Sequence, residues 1–578
     1  MQILTTSKIK GCFYLVLGFL LCLPSLAFGQ SFTELAASNY NTLPTGLQEA
    51  AVSWVDIDND GDLDFIYTGR QSILSLPLFF IYRWDGTRFN REQPSITRVY
   101  NPTIAPADYD NDGDVDLFVA GTKAGGQFDV ALYENNGIGI FSKNASYTTD
   151  FSSIDINTAS QPAAAWGDYD NDGDPDLLFS WNEANPTNSP QLRLYNNTGI
   201  KLDESVVNQI TNFGGSGVLN GDMDWGDFDQ DGLLDIAIVG ETSTGSISRV
   251  LRNLGNNQFQ LQPLSVPGFK NGSVQWGDYD QDGLLDLLFC GESLGMGMTQ
   301  VYRNTGTTFV LANSSMTGIR NGIARWADYR NNSGVSGSDG FPDVVIAGFD
   351  GTNSVLQTYF NNNGSGLFIA DNSNTWLGYG NGTALAVGDF NEDRNIDILI
   401  SGLENGTVAT KIFERTSIST PAGVGAPILG AAVVNANSVT LNWDPPAGVT
   451  DSLSYNIYLG TSSQTDNEDG AESDLLTGER YIVRRGEVSI TNKTYSNLPA
   501  DTYYWSVQAI ESNYRGSAFA AEGTFTIVNV LPNNSSFQDV TNTFPSAPTG
   551  VWKGLIEVAD VDVDGDLDFL MGGAVNLG

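Results

Sequence analysis

The chain has 578 residues, room for two to four domains, with 27 basic and 68 acidic side chains, no histidine and a formal net charge of -41. That balance argues against a nucleic-acid partner, because neutralising phosphates takes clusters of Lys and Arg that are absent. The missing histidine rules out a Ser-His-Asp relay and disfavours most catalytic zinc sites and histidine acid–base chemistry.

Residues 1–29 read as an export signal. Lys8 and Lys10 form the charged region, Gly11 to Leu23 the apolar run, and Ala27-Phe28-Gly29 a small-x-small cleavage site before Gln30. The run is short for a membrane span, and no other segment qualifies, so the mature chain is expected to have no transmembrane segment and to be secreted or held at the cell surface. Leu21 before Cys22 argues against lipid attachment. Cys12 and Cys22 leave with the signal. The remaining Cys290 sits in the apolar strand Leu287-Leu288-Phe289-Cys290, where a buried small hydrophobe is expected. An exported protein without disulfides must be held by its cores and its metals.

From residue 56 one acidic loop recurs. Its clearest copy is Trp166-Gly167-Asp168-Tyr169-Asp170-Asn171-Asp172-Gly173-Asp174-Pro175-Asp176-Leu177-Leu178. Carboxylates at positions 1, 3, 5 and 9 converge on one point, with a glycine at position 6 for the sharp turn. Such a cluster repels itself unless a cation sits in it, and oxygen-only ligands of this kind suit calcium. The last ligand is an Asp at 9, so the loop is shorter than an EF-hand. Copies begin at Asp56, Asp108, Asp168, Asp227, Asp278, Asp328, Asp389 and Asp560; subtraction spaces the first seven by 52, 60, 59, 51, 50 and 61 residues, with the eighth 171 further on. A period of this size marks a repeat architecture. About half of the acidic residues belong to these loops, so the acidity is concentrated in sites.

The expected calcium ligands are Asp56, Asp58, Asp60, Asp62 and Asp64 in the first copy and Asp108, Asp110, Asp112, Asp114 and Asp116 in the second. The third offers Asp168, Asp170, Asp172, Asp174 and Asp176, the fourth Asp227, Asp229, Asp231, Leu233 and Asp235, and the fifth Asp278, Asp280, Asp282, Leu284 and Asp286. Position 7 alternates between Asp and Leu, so its contribution is expected from the backbone carbonyl. The seventh copy has Asp389, Asn391, Asp393 and Asp397, with Arg394 in place of the glycine. The eighth has Asp560, Asp562, Asp564, Asp566 and Asp568. The sixth runs Asp328-Tyr329-Arg330 and then carries an insert before Asp339-Gly340-Phe341-Pro342-Asp343; it is expected to bind calcium weakly or not at all.

Each loop is followed by a short apolar strand ending in glycine, as in Ile236 to Gly240 and Leu287 to Gly291. An aromatic-x-Asn strand comes next (Tyr133-Glu134-Asn135, Tyr195-Asn196-Asn197, Tyr302-Arg303-Asn304), then a strand opened by Phe141, Phe259, Phe309 or Phe368. With a strand before each loop, ending near Trp54, Trp166, Trp225, Trp276 or Trp326, this makes four antiparallel strands per repeat. Seven repeats give an all-β, seven-bladed β-propeller over 30–416, its tryptophans packed between blades. The seventh unit lacks its outer strand after Arg415. Ser31-Phe32-Thr33-Glu34-Leu35 has the missing pattern and is expected to close the ring, removing open sheet edges. The same start recurs at Ser536-Phe537-Gln538-Asp539-Val540, so 536–578 reads as the first part of a second, truncated propeller.

The loop and the Leu194-Tyr195-Asn196-Asn197 strand resemble the FG-GAP or VCBS repeats, the calcium-loop propellers related to the integrin alpha head, over roughly 31–415 and 536–578. The resemblance implies several structural calcium ions between the first two strands of each blade, and a family spanning cell-adhesion, carbohydrate-associated and unassigned secreted proteins. Residues 421–528 carry alternating strands at Val439 to Trp443, Tyr455 to Leu459 and Tyr503 to Ile510, the pattern of a β-sandwich with a lone core tryptophan. They resemble a fibronectin type III domain, with Trp443 in the core, a tyrosine corner at Leu498 to Tyr503, and a long loop from Gly460 to Arg480; such domains are usually spacers.

Gly291-Glu292-Ser293-Leu294-Gly295 matches a G-x-S-x-G nucleophile elbow, but without histidine no relay can be built on it. The expected function is a non-catalytic, calcium-binding adhesion or ligand-binding module for an extracellular glycan or protein. The alternative is a calcium-dependent, lyase-like polysaccharide-processing enzyme using carboxylate, Tyr, Lys or Arg chemistry; a convergent Arg, Lys and Tyr cluster in one cleft would favour it.

Overall fold

The structure is a computed structural model that describes residues 32–145, 151, 161–182, 190–199, 201–203, 217–329, 339–374, 376–380, 382–415, 423–449, 453–528, 552–559 and 568–574. The leader, the sixth-loop insert at 330–338 and the eighth-loop positions Asp560, Asp562, Asp564 and Asp566 lie outside these. Asp568 opens a described strand.

Seven four-stranded antiparallel sheets of the repeat occur among the described residues. The first runs Gln48–Val55, Asp64–Arg70, Leu78–Trp84 and Phe89–Glu92 in sequential order. The leading strands of the others are Val99–Ala107, Ala163–Gly167, Leu219–Gly226, Val274–Gly277, Arg320–Trp326 and Ala384–Gly388. Each leading strand touches the next, and Ala384–Gly388 touches Gln48–Val55, so the sheets form a closed ring of propeller-like blades. The seventh sheet is completed by Phe32–Glu34 on Thr407–Arg415, with Phe32 opposite Arg415 and Glu34 opposite Phe413. The second strands read as unbroken apolar runs because both of their faces are covered; all six residues from Asp286 to Gly291 are buried.

The second strands do not end at their glycines. Asp235–Thr242 and Asp286–Ser293 run two residues past Gly240 and Gly291. The glycine answers a close approach instead. A Cβ at Gly240 would lie 2.6 Å from the Val218 side chain, and one at Gly291 2.7 Å from the Lys270 carbonyl. The tryptophans pack between sheets. Trp54 stacks on Phe390 at 7°, Trp276 on Phe228 at 3° and Trp326 on Tyr279 at 7°. The glycine before the third, fourth, fifth and seventh loops makes room for the next sheet's indole: a Cβ at Gly277 would meet Trp326 at 2.6 Å.

Residues 423–528 form two sheets over one core. Ser438–Asp444 lies between Ile428–Leu429 and Val433–Asn435 and also pairs Asn492–Tyr495; Thr502–Ile510 lies between Ser454–Gly460 and Gly523–Thr526. The core holds Trp443 and Trp505, two indoles where the strand pattern suggested one. The Tyr503 hydroxyl donates to the Pro499 carbonyl at 3.0 Å. The stretch expected as a long loop is buried in part, with Asp469, Ala471, Glu472 and Ser473 all inside. It is seated on the acidic loops, and Met1–Val528 is one compact unit, so the sandwich is not a detached spacer. The Asp56 amide donates to the Tyr481 carbonyl at 2.9 Å, and Arg484 Nη1 to the Trp166 carbonyl at 3.1 Å. A second unit, Asn529–Gly578, contains the antiparallel pair Trp552–Ala559 and Asp568–Ala574. No helix among the described residues is long and apolar enough to cross a membrane.

Candidate functional site

Each loop joins a leading strand to its second strand and curls around its first aspartate. In the first loop Asn59 and Gly61 take left-handed backbone (φ 55 and 95). That turn aims the Asp60 and Gly61 amides at Asp56 Oδ1 and Oδ2, 3.3 and 3.0 Å away. The Asp62 amide donates to Asp60 Oδ1 at 3.1 Å, and Asp64 accepts from the Ile57 and Trp84 amides at 3.3 and 2.8 Å. The same bonds to the first aspartate recur at Asp108, Asp168, Asp227 and Asp278. The backbone therefore orients carboxylates that would otherwise swing apart.

Carboxylate oxygens come within 4.8 Å of one another in five triads: Asp56, Asp58 and Asp64; Asp108, Asp110 and Asp116; Asp168, Asp170 and Asp176; Asp227, Asp229 and Asp235; Asp278, Asp280 and Asp282. These belong to the five complete copies. Among the described residues no such triad forms at Asp328 or Asp389. The position-7 side chains turn outward: Asp114 Oδ1 accepts Asn59 Nδ2 at 2.8 Å and Asp174 Oδ1 accepts Asn111 Nδ2 at 2.9 Å.

The triads fit a hard divalent cation. The inner oxygen of position 3 is buried without a hydrogen-bond partner in all five loops, at Oδ1 of Asp58, Asp110, Asp170, Asp229 and Asp280. In four of them the outer oxygen is held from behind: Arg83 Nη1 at 2.9 Å on Asp58, Asn196 Nδ2 at 2.7 Å on Asp170, Arg252 on Asp229, and Arg303 Nε at 2.5 Å on Asp280. An orphaned acceptor at the same place five times over is the signature of a missing positive ligand. Burial lifts Asp56 to about 7 and Asp110 and Asp227 to about 6, and repulsion from neighbouring carboxylates adds to it.

Position 4 was not legible as functional, although it is Asn or Gln in all five copies. Its amide links neighbouring loops: Asn59 to the Gly113 carbonyl at 2.9 Å, Asn171 to Gly232 at 2.8 Å, and Gln230 to Gly283 at 2.7 Å. The asparagine of the aromatic-x-Asn strand does similar work. The Asn253 amide donates to Asp235 Oδ1 at 2.7 Å, while its Nδ2 reaches the Tyr169 carbonyl of the previous sheet at 2.7 Å. Ser293 ends a strand, and Leu294 and Gly295, both left-handed, turn it into Met296–Asn304, so the G-x-S-x-G stretch is a two-residue hairpin.

The sixth and seventh loops differ. Where five sheets have asparagine the seventh has Arg415, 1% exposed, whose charge lies among Asp343, Asp328 and Asp397. Asp328 also accepts from Ser512 Oγ of the sandwich at 2.6 Å. In the seventh loop the Arg394 amide takes the glycine's role, donating to Asp389 Oδ2 at 2.8 Å with φ 71; burial and Asp393 raise Asp389 to about 7, against the pull of Arg515 of the sandwich. The third loop also receives a sandwich cation: buried Lys493 Nζ lies 3.2 Å from Asp168 and 3.0 Å from Asp469.

A cavity of about 560 Å³ runs along the ring axis, lined by all seven leading strands and, at the loop side, by residues 482–487 and Ser489 of the sandwich. Arg325, Arg484 and Arg485 all line it.

The FG-GAP-like repeat family matches residues 56–119, 108–179, 227–289 and 338–400, so FG-GAP-like repeats are present in four copies. No curated protein matches the chain. Among solved structures, the extracellular domain of a one-component system from B. thetaiotaomicron is 9% identical with a TM-score of 0.36, over 86% of this chain and 58% of that one. The rhamnogalacturonan lyase PL11 of Bacillus licheniformis is 10% identical with a TM-score of 0.32, over 84% and 91% of the two chains. A mutant Aleuria aurantia lectin in complex with alpha-methyl-L-fucoside is 9% identical with a TM-score of 0.34, over 55% and 93%. The chain thus spans little more than half of the first of these.

Proposed function

We propose that this chain is an exported, seven-bladed calcium-binding β-propeller carrying a fibronectin type III-like sandwich on its calcium face, and that it is a non-catalytic binding module for an extracellular glycan or protein. The carrying observation is the fivefold orphaned oxygen at position 3 inside a carboxylate triad. In the loaded protein positions 1, 3, 5 and 9 would hold the ion, with a backbone carbonyl from position 7. Titration calorimetry on the chelator-stripped chain is expected to show at least five calcium ions taken up, one for each triad among the described residues. Glycan arrays and pull-downs on the loaded ring should then identify a ligand; no calcium uptake, or no captured ligand of either kind, would sink the reading.

A second reading, a polysaccharide-processing enzyme, is favoured by one observation: Arg325, Arg484 and Arg485 converge on one cavity that also holds Asp224. Burial raises Asp224 to about 7, within the range of a general base. Release of an unsaturated sugar product from acidic polysaccharides, read by ultraviolet absorbance, would choose this reading over the first.

A further inference from the structure

The axial cavity is a cup with a floor. Residues 481–488 of the sandwich cross its loop-side end: Ile482 bridges Val55, Arg484 bonds the Trp166 carbonyl, and the Tyr514 hydroxyl bonds the Trp326 carbonyl at 2.9 Å. The opposite end is a rim of amide side chains at the bulged starts of the leading strands. Asn220, Asn271 and Asn321 there take left-handed backbone (φ 49, 52 and 48). Main-chain bonds tie the rim together: the Asn271 amide to the Asn220 carbonyl at 2.6 Å, and Gly382 to Asn321 at 3.2 Å. Gln161 at the rim is exposed, so this end is open.

Two charged groups lining the cup keep unused hydrogen-bonding capacity. Arg484 is held by Glu472 and Glu487, and Arg325 by Asp222 at 3.3 Å. Arg485, half-buried on the floor, has no hydrogen bond or ion pair among the described residues. Asp224 accepts the Trp276 amide through Oδ2 at 2.8 Å, and among the described residues nothing donates to its Oδ1. The two groups face the same space without pairing, though each lies in the other's field. A guanidinium calls for an anion, and a carboxylate oxygen beside it calls for a hydroxyl donor. One ligand supplies both if it is a hydroxy acid. The half-buried Asp222 and Asp224 disfavour a dianion such as phosphate, and the amide rim suits further hydroxyls. The volume falls within the roughly 300–1,000 Å³ usual for small-molecule sites. A closed floor admits an end of a chain and excludes its middle.

We infer that the axial cup binds a terminal sugar-acid residue, its carboxylate on Arg485 and a hydroxyl on Asp224. This rests on the binding-module reading and names its ligand class. The probes are galacturonate, glucuronate, mannuronate and guluronate, their trimers, and the neutral sugars galactose, glucose and mannose, each titrated into the calcium-loaded full chain. At least one acid is expected to bind, with its neutral counterpart on the order of tenfold weaker or more, the worth of one charge-assisted bond. Binding should quench the half-buried Trp225 on the cup wall, a readout that needs no variant. Arg485→Gln should weaken the acid about tenfold to a hundredfold, and Arg485→Lys should restore part of that. Equal affinity for monomer and trimer identifies a free sugar acid as the source; a tighter trimer identifies a glycan end. Silence across the acids, equal binding of acid and neutral sugar, or undiminished binding by trimers blocked at both ends overturns the proposal. If an array ligand still binds while the acids are silent, the binding-module reading survives and only this site assignment fails.

Discussion

The first and sixth loops hold their first and last aspartates with the same backbone bonds and differ in electrostatics. Around Asp56, Asp58 and Asp64 the chain places arginine only at the outer edge, where Arg83 holds Asp58 from behind, and the inner oxygen is left without a partner. Around Asp328 and Asp343 it places Arg415 itself, fully buried, at a site where five other sheets have a neutral asparagine and the first has Trp84. The third loop stands between them, with its triad intact and Lys493 against Asp168. Packed carboxylates need a positive charge from somewhere; the covalent chain supplies it in one blade and, on the proposed function, leaves it to an ion in five. The sandwich takes part in this division, since Lys493, Ser512 and Arg515 all come from it.

Removing the ions should separate the two kinds of loop most strongly. Extracellular calcium sites often have Kd near 10⁻⁴ to 10⁻³ M, and at free calcium of about ten times Kd each stabilises by roughly 1.4 kcal/mol. Five sites then contribute about 7 kcal/mol, comparable to the roughly 5–15 kcal/mol net stability of a typical domain. Excess EGTA should lower the melting temperature by on the order of 10 °C; an unchanged melt breaks the comparison. A pH series sharpens it. Without calcium, Asp56 at about 7, Asp172 at about 8 and Asp110 at about 6 all sit above the ordinary 3.8, with burial as the main cause. The folded state then holds more protons than the unfolded one, so stability is fullest below about pH 4 and falls as pH rises through 6 to 8. Saturating calcium takes the protons' place and should flatten that fall.

The next effect in size belongs to the sixth loop. Arg415→Asn installs the residue that five other sheets carry and keeps the backbone bond from position 415 to Asp397 Oδ1, 2.8 Å in the native chain. It also leaves Asp328, Asp343 and Asp397 without their internal cation. Breaking a buried charge arrangement from one side costs about 3–5 kcal/mol. The loss should be equal in calcium and in EGTA, measured by denaturant unfolding. A loss confined to EGTA would mean that the sixth loop also depends on an ion.

Much of this was legible from the spacing of like residues. Carboxylates at alternate positions, a glycine at 6 and a free choice at 7 describe a curled backbone, and a curled backbone fixes local hydrogen bonds. The ring closure was legible too, because Phe32-Thr33-Glu34 has the pattern that the seventh sheet lacks. What stayed hidden depends on neighbours distant in the chain. Asn59 looks like a turn residue until it is seen bonding Gly113 of the next sheet. Arg415 looks like the end of a strand until Asp343 is seen beside it. The stretch from Gly460 to Arg480 is acidic and Ser-rich, as solvated loops are, and its burial follows from the loop face beneath it, which no local pattern records.

The smallest effect tests the ion against the charge in a single blade. Asp110 occupies position 3 of the second loop, its Oδ1 orphaned and its carboxyl raised to about 6 by burial and by Asp112 and Glu134. Asp110→Asn keeps the shape and removes the charge. In saturating calcium it should cost roughly 1.4 kcal/mol, one ion's share, with calorimetric uptake falling by one ion. In EGTA the sign should reverse, because one member of a self-repelling cluster is gone and nothing that favoured it has been lost. Combined with Arg415→Asn the two changes should add, since they act in separate sheets with no shared partner. Destabilisation of the same size in both media would show that Asp110 serves packing alone, and the difference between the triad loops and the arginine-filled loop would then have no energetic content.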